Sequence, residues 1–170
     1  MIEVAHVGAW TQEARDELYD GEARPFGGDT QQLGWRDKEL HTVGRSNGRV
    51  VSHVGLTVAI AEVAGTAFAV VGVGGVLVAR SQRGRGRLTP VMQAALERAA
   101  TLGPERALLF CAEPRVAMYA RFGFARIGAP VTIDRPGGGT RVFPEVTMWR
   151  PLRPGVEWPA GPVRLYGLPF

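Results

Sequence analysis

The sequence predicts an α/β (α+β) fold built on a mixed, mostly antiparallel central sheet. Three observations carry that prediction. From Lys38 to Ala79 the chain is rich in Val, Ala, Thr and Ile and is broken only at Asn47-Gly48 and Ala64-Gly65-Thr66, so it reads as a three-stranded meander. From Leu88 to Leu102 apolar residues recur every three or four positions, the mark of one buried helical face. Beyond it a short buried strand, a second helix and further strands follow, so helices have to cover the sheet.

Taken in order, Ile2–Val7 reads as a strand and Gln12 to about Asp20 as a helix, with Thr11 as N-cap and acids in its first turn. Gly21–Gly34 reads as a loop or short helix. Lys38–Arg45, Arg49–Glu62 and Ala67–Ala79 are the meander strands, with Asn47-Gly48 as a hairpin turn because both residues tolerate positive φ. Arg80–Arg87 is a loop leading into the helix from Leu88, which Gly103-Pro104 ends. Ala107–Cys111 is a strand, and Glu113-Pro114 opens a helix reaching about Phe122. Phe124–Val131 and Arg141–Trp149 are strands around a flexible Arg135–Gly139 loop. Residues 151–170, behind a domain spanning 1–150, read as an extended tail over the surface, since 150–170 holds five of the 12 prolines.

Composition narrows the function. With 170 residues, 45% apolar and 21% charged, the chain can bury one ordinary core without disulfides or metals. One cysteine, Cys111, leaves no internal disulfide, and His6, His41 and His53 lack the spacing of a helix-borne zinc site. Glu62 and the glycines of Val50–Ala79 favour a buried meander over a membrane span. The start shows neither a basic nor an apolar signal region, so a cytoplasmic, metal-free protein is expected.

Charge is uneven. The net charge is +4 with a pI near 10.0, and Lys38 is the single lysine among 20 basic residues. Residues 11–40 hold eight of the 16 acids (Glu13, Asp16, Glu17, Asp20, Glu22, Asp29, Asp37, Glu39), whereas residues 80–126 hold nine arginines against three acids. This asymmetry fits a polyanion at one place and a cation at another. Arg83-Gly84-Arg85-Gly86-Arg87 lies between a long strand and a helix start, where free N–H groups and the helix dipole favour an anion. It is neither a P-loop nor a dinucleotide fingerprint, and a solvated turn is its ordinary reading.

A second element about 35 residues downstream gives that loop a context. Arg83-Gly84-Arg85-Gly86-Arg87-Leu88 resembles the R/Q-x-x-G-x-G/A acyl-CoA loop of the GNAT N-acetyltransferase superfamily, and Tyr119-x-x-x-Gly123-Phe124 is similar to the ending of the following helix in that family. The resemblance covers about residues 1–150 and looks most like the aminoglycoside 2′-N-acetyltransferase branch. Leu88 replaces a small residue of the family pattern, and Pro90 sits near the helix start. The third strand has Gly74 where that branch often carries an acid, so its substrate is not inherited.

The resemblance implies helices on both faces and a splayed parallel pair formed by Val73–Ala79 and Ala107–Cys111. Acetyl-CoA, the acyl-donor cosubstrate, would lay its pantetheine along Val76, Leu77 and Val78 and its pyrophosphate on the amides of Arg83, Gly84, Arg85, Gly86, Arg87 and Leu88. Gly72, Gly74 and Gly75 would suit the bulge that splaying requires. Tyr119 would act as general acid toward the departing thiolate, and a strand N–H near Val78 would hold the oxyanion. The acceptor would be a small primary amine, cationic if the acidic front steers it. Glu113 and His53 are candidate bases, with a helix-start carboxylate and a strand histidine as ordinary readings; Cys111 reads as core. The Phe170 carboxylate either reaches the acceptor pocket or belongs to a frayed end. Trp10, Phe26, Trp35 and Trp149 line a pocket or belong to the core. A homodimer is expected, without nucleic acid or membrane. The alternatives are an Arg-loop polyanion or nucleic-acid binder and a non-catalytic acyl-CoA-binding member of the fold.

Overall fold

Two tight turns set the frame of the molecule, of which the computed structural model describes residues 2–27 and 34–170. At Asn47-Gly48 φ is 52° and 78°, and at Ala64-Gly65 it is 48° and 80°. Paired left-handed residues match the twist of the strands they join. They link β2 (Leu40–Ser46), β3 (Arg49–Val63) and β4 (Thr66–Val78) into the antiparallel meander read from the sequence. β1 (Glu3–Val7) pairs antiparallel with β2.

The helices occupy both faces, as expected. α1 (Gln12–Tyr19) starts where the Thr11 hydroxyl accepts from the Ala14 N–H, and it packs Leu18 against Val43, Val50 and Leu77. α2 (Leu88–Ala99) buries Val91, Met92, Ala95, Leu96 and Ala99 in the core with Val54, Leu56, Val71 and Val73. Side chains alternate along a strand, so His53, the register partner of Val43, stands on the face opposite Val54 and α2. α2 ends before the expected Leu102. A 3-10 turn, Glu113–Arg115, leads into the short α3 (Val116–Ala120), whose Tyr119 joins the α2 core. Of the expected 21–34 loop, residues 28–33 and with them Asp29 lie outside the described residues.

The remaining strands are β5 (Arg106–Cys111), β6 (Ala125–Arg126), β7 (Val131–Asp134), β8 (Thr140–Val142), β9 (Val146–Pro151) and β10 (Val163–Tyr166). The sheet runs β6-β9-β5-β4-β3-β10-β7-β8, with β1-β2 on the first half of β3. Only β4/β5 and β7/β10 are parallel among these pairs. Three expectations are corrected. Phe124–Val131 is not one strand but β6 and β7, divided at Gly128-Ala129-Pro130, and Arg141–Trp149 is β8 and β9, divided at Phe143-Pro144. Proline cannot donate to a ladder, so the sheet breaks there. Residues 152–162 run extended and partly exposed as expected, but the segment then enters the sheet: β10 inserts between β3 and β7 and buries Val163 and Leu165.

Candidate active site

The site begins with one extra residue in β4. Gly55 faces Gly74 across the β3–β4 ladder, but His53 faces Leu77, so three steps on β4 match two on β3. Gly75 takes φ 59°, which only glycine adopts at no steric cost, and this makes a β-bulge. The bulge turns the Gly75 carbonyl onto the Nδ1–H of His53, 2.7 Å away. The expected bulge is therefore present, and Gly75 forms it.

At the same place β4 parts from β5. Their parallel pairing covers Val71/Ala107, Gly72/Leu108 and Val73/Leu109 and stops, although β4 continues to Val78 and β5 to Cys111. The Ala79 N–H donates to the Val51 carbonyl at 2.9 Å. Successive strand residues turn their backbone groups to opposite edges, so Leu77 faces β3 while Val76 and Val78 face the gap. The Val78 carbonyl accepts from Arg83 Nε at 3.1 Å. Of the three strand residues singled out, Val76 and Val78 line the gap by their backbone, whereas Leu77 packs its side chain under α1.

β4 leads into the Arg/Gly loop at the start of α2. Gly84 and Gly86 have φ 73° and 69°, and a side chain added to either would meet nothing within 4 Å. The amides of Gly84, Arg85, Gly86, Arg87 and Leu88 donate to no acceptor among the described residues. Open backbone donors at a helix start suit a diphosphate, and nothing blocks them. The arginines are less free than the sequence suggested. Arg83 is ion-paired with Glu22, and Arg87 Nε donates to Gln82 at 3.3 Å. Asp20 accepts from the Ser81 N–H, and Glu17 from the Val50 N–H, each at 2.8 Å. Asp20 and Glu22 of the acidic front thus dock onto the basic middle of their own chain, and Glu17 onto β3, instead of waiting for a cation.

Tyr119 lies on the α2 side, 7% exposed. Burial pushes its phenol well above the ordinary range, and its hydroxyl has no hydrogen-bond partner among the described residues. A neutral phenol with an uncommitted proton is what protonation of a thiolate requires. Cys111, at the end of β5, is buried with Sγ 3.8 Å from Met148 Sδ, and burial pushes its thiol up to about 11. It is a core residue, as expected, and not a nucleophile.

Of the candidate bases, Glu113 stands in solvent, ion-paired with Arg126. His53 lies at the bulge. Its Nδ1–H donates to Gly75, so its Nε2 accepts from His41 Nδ1–H at 3.0 Å, and Trp10 stacks on its ring at 4.1 Å. Burial leads the causes that lower both imidazoles, taking His53 down to about 4. The His41 pairing was not singled out from the sequence. The signal was the Asn47-Gly48 turn, which folds residues 41 and 53 onto neighbouring places of one sheet face.

On that face, Phe170 is 3% exposed rather than frayed. Its ring packs over Gly72 and against Phe110, with centroids 5.1 Å apart. A Cβ added to Gly74 would come 2.5 Å from the Phe170 carbonyl carbon and 2.7 Å from Lys38 Cε. The other aromatics divide: Trp35 meets Phe143 edge-on, Trp149 packs on Trp158, and Phe26 is 56% exposed. Trp10 alone of the four reaches the bulge.

Comparisons with known proteins agree with this geometry. A family model described as an acetyltransferase (GNAT) domain matches residues 9–127. No curated protein matches. Among solved structures, the chain is similar to the GNAT family N-acetyltransferase YhbS of Escherichia coli in complex with CoA, at 20% identity and a TM-score of 0.60, over 96% of this chain and 88% of that one. It is also similar to a GNAT family acetyltransferase of Brucella melitensis in complex with acetyl-CoA, at 17% identity and a TM-score of 0.56, over 95% and 94%. The ribosomal-protein-S18-alanine N-acetyltransferase of Escherichia coli shares the fold at 12% identity and a TM-score of 0.57, over 93% and 100%. The fold is thus shared with solved acetyltransferases, and with the family model matching well over half of its length the chain belongs to the GNAT acetyltransferases.

Proposed function

We propose that the protein is an acetyl-CoA-dependent N-acetyltransferase that passes an acetyl group to a primary amine of a small acceptor by direct attack. One observation carries this reading: β4–β5 pairing ends at Val73/Leu109 while β4 runs on to a loop of unpartnered amides. The donor's pantetheine arm lies in that gap on the backbone of Val76 and Val78. Its diphosphate rests on the amides of Gly84–Leu88, because the expected Arg83 N–H already donates to the Arg80 carbonyl at 3.4 Å, and Arg85 adds charge. The amine attacks the thioester carbonyl, an N–C bond forms, the C–S bond breaks, and Tyr119 protonates the departing thiolate. A backbone N–H of Val76 or Val78 steadies the oxyanion.

A cationic acceptor gains less from the front helix than the sequence suggested, because Glu17, Asp20 and Glu22 are engaged within the chain. The amine panel that tests this reading therefore includes amino-acid amines as well as aminosugars and polyamines. Acetyl-CoA is expected to raise the melting temperature, and one or more amines to release thiol. A chain that neither binds acetyl-CoA nor releases thiol overturns the reading. A homodimer in the cytoplasm completes the proposal, checked by sedimentation of the purified chain and localisation of a tagged one; among the described residues no helix is long and apolar enough to cross a membrane.

A further inference from the structure

The single lysine of the chain, Lys38, lies over β3 and β4 beside the point where the gap begins. Gly55 and Gly74 are register partners, and lacking side chains they leave a trough on the face opposite α2. Lys38 fills it: a Cβ at Gly55 would sit 2.6 Å from Lys38 Cγ, and one at Gly74 2.7 Å from Cε. Gly74 is the first β4 residue past the last β4–β5 pair, and the Gly75 bulge follows it. The lysine stem thus leads to the point where the two strands diverge. Its Nζ donates to the Arg36 carbonyl at 2.8 Å, one bond beyond Cε, and remains partly open to solvent.

We propose that Lys38 is itself an acetyl acceptor, modified by its own chain's active site. The inference rests on the reading above, which places the thioester at the bulge. Nζ leaves the Arg36 carbonyl by a turn about its last side-chain torsion and attacks the thioester carbon as a free amine. The N–C bond forms, the C–S bond breaks, the thiolate leaves as CoA with a proton from Tyr119, and the proton shed by Nζ goes to water. The products are Nε-acetyl-Lys38 and CoA. Burial makes the required free amine accessible, lowering Lys38 to about 8 against the opposing pull of Asp37 and Glu39. On the order of a tenth of the molecules then carry it uncharged at neutral pH. His53 of β3 and His41 of β2, on the strands beneath, are neutral there, whereas the Phe170 carboxylate, whose carbon shares the space over Gly74 with Lys38 Cε, pulls toward the charged amine as Asp37 and Glu39 do.

A single lysine makes the test clean. The full chain is incubated with acetyl-CoA and followed by intact mass and peptide mapping, with melting temperature measured in parallel. The expected result is one acetyl group per chain, on Lys38, at a rate that saturates with acetyl-CoA, is independent of protein concentration and rises with pH through about 8. Lys38→Arg is expected to take no acetyl group while its melting point still rises with acetyl-CoA. A melting shift without acetyl on Lys38 overturns the inference and leaves the enzyme reading standing. Acetylation that never saturates, and equals that of the urea-unfolded chain, also overturns it. No shift and no acetylation overturn both.

Discussion

The Nδ1–H of His53 donates to the Gly75 carbonyl across 2.7 Å, tying the bulge of β4 to a side chain of β3. A bulged carbonyl has lost its ladder partner, and His53 supplies another. Burial is the main force against a charge on this ring and outweighs the Gly75 bond, which alone would favour the imidazolium; Nε2 must also stay unprotonated to accept from His41. Folding therefore holds His53 uncharged, down to a pKa of about 4 against an ordinary 6.5. Between those values the unfolded chain binds a proton that the folded chain refuses, so stability is full above pH 6.5 and is lost as pH falls toward 4. The loss is expected to reach on the order of 3 kcal/mol. A melting curve taken across that range should slope for the wild type and flatten for His53→Leu; equal slopes would refute the assignment.

Gly75→Ala puts a Cβ at φ 59° and 3.2 Å from His53 Cε1. A cost of about 1–2 kcal/mol is expected from the left-handed backbone alone. Because the same residue starts the gap, acetyl-CoA affinity should fall more than stability does. Calorimetric titration beside urea unfolding separates the two effects.

Tyr119→Phe removes a hydroxyl that has no hydrogen-bond partner among the described residues. Melting temperature should barely move, while kcat drops by roughly 100-fold or more and KM for acetyl-CoA stays near its original value. An unchanged kcat would take Tyr119 out of the mechanism.

The loop predictions turn on backbone. Gly84→Val and Gly86→Val both force a β-branched residue to positive φ, where it closes over the open amides. Each should weaken acetyl-CoA binding by about tenfold or more with little loss of fold, because both positions lie on the surface. Arg83→Ala should act differently: it frees Glu22 and the Val78 carbonyl, so its effect should include loosening of residues 20–24, visible by hydrogen exchange.

Phe170→Ala empties the space over Gly72 beside Phe110. A loss of about 3–5 kcal/mol is expected from such a cavity, read by chemical denaturation. A loss under about 1 kcal/mol would mean that the space collapses or that the ring is not seated there.

These residues also show where the sequence was readable. Local rules worked where local forces decide: Asn47-Gly48 and Ala64-Gly65 turn with positive φ, Thr11 caps α1, and the α2 stripe is buried as spaced. The loop and Tyr119 were singled out because two motifs stood in the right order. The tail was misread because its alternation, Val163 and Leu165 in with Arg164 and Tyr166 out, spans four residues among prolines. Nothing local tells such a segment that β3 and β7 await it. The capture of Arg83 by Glu22 was hidden for the same reason, since 61 residues separate them. Lys38 was noticed only as the single lysine and not as part of the site, because its place is set by two glycines on β3 and β4.

The position of β10 in the sheet order bears on how the molecule assembles. It follows every other described strand in the sequence, and among them it joins the β7–β8 hairpin to β3. Until residues 163–166 emerge from the ribosome, the far half of β3 keeps a bare edge of unpaired amides and carbonyls, a template for unwanted pairing. Synthesis should therefore outrun folding over this half, with the catalytic end able to set early and the sheet sealing only after translation of its final strand.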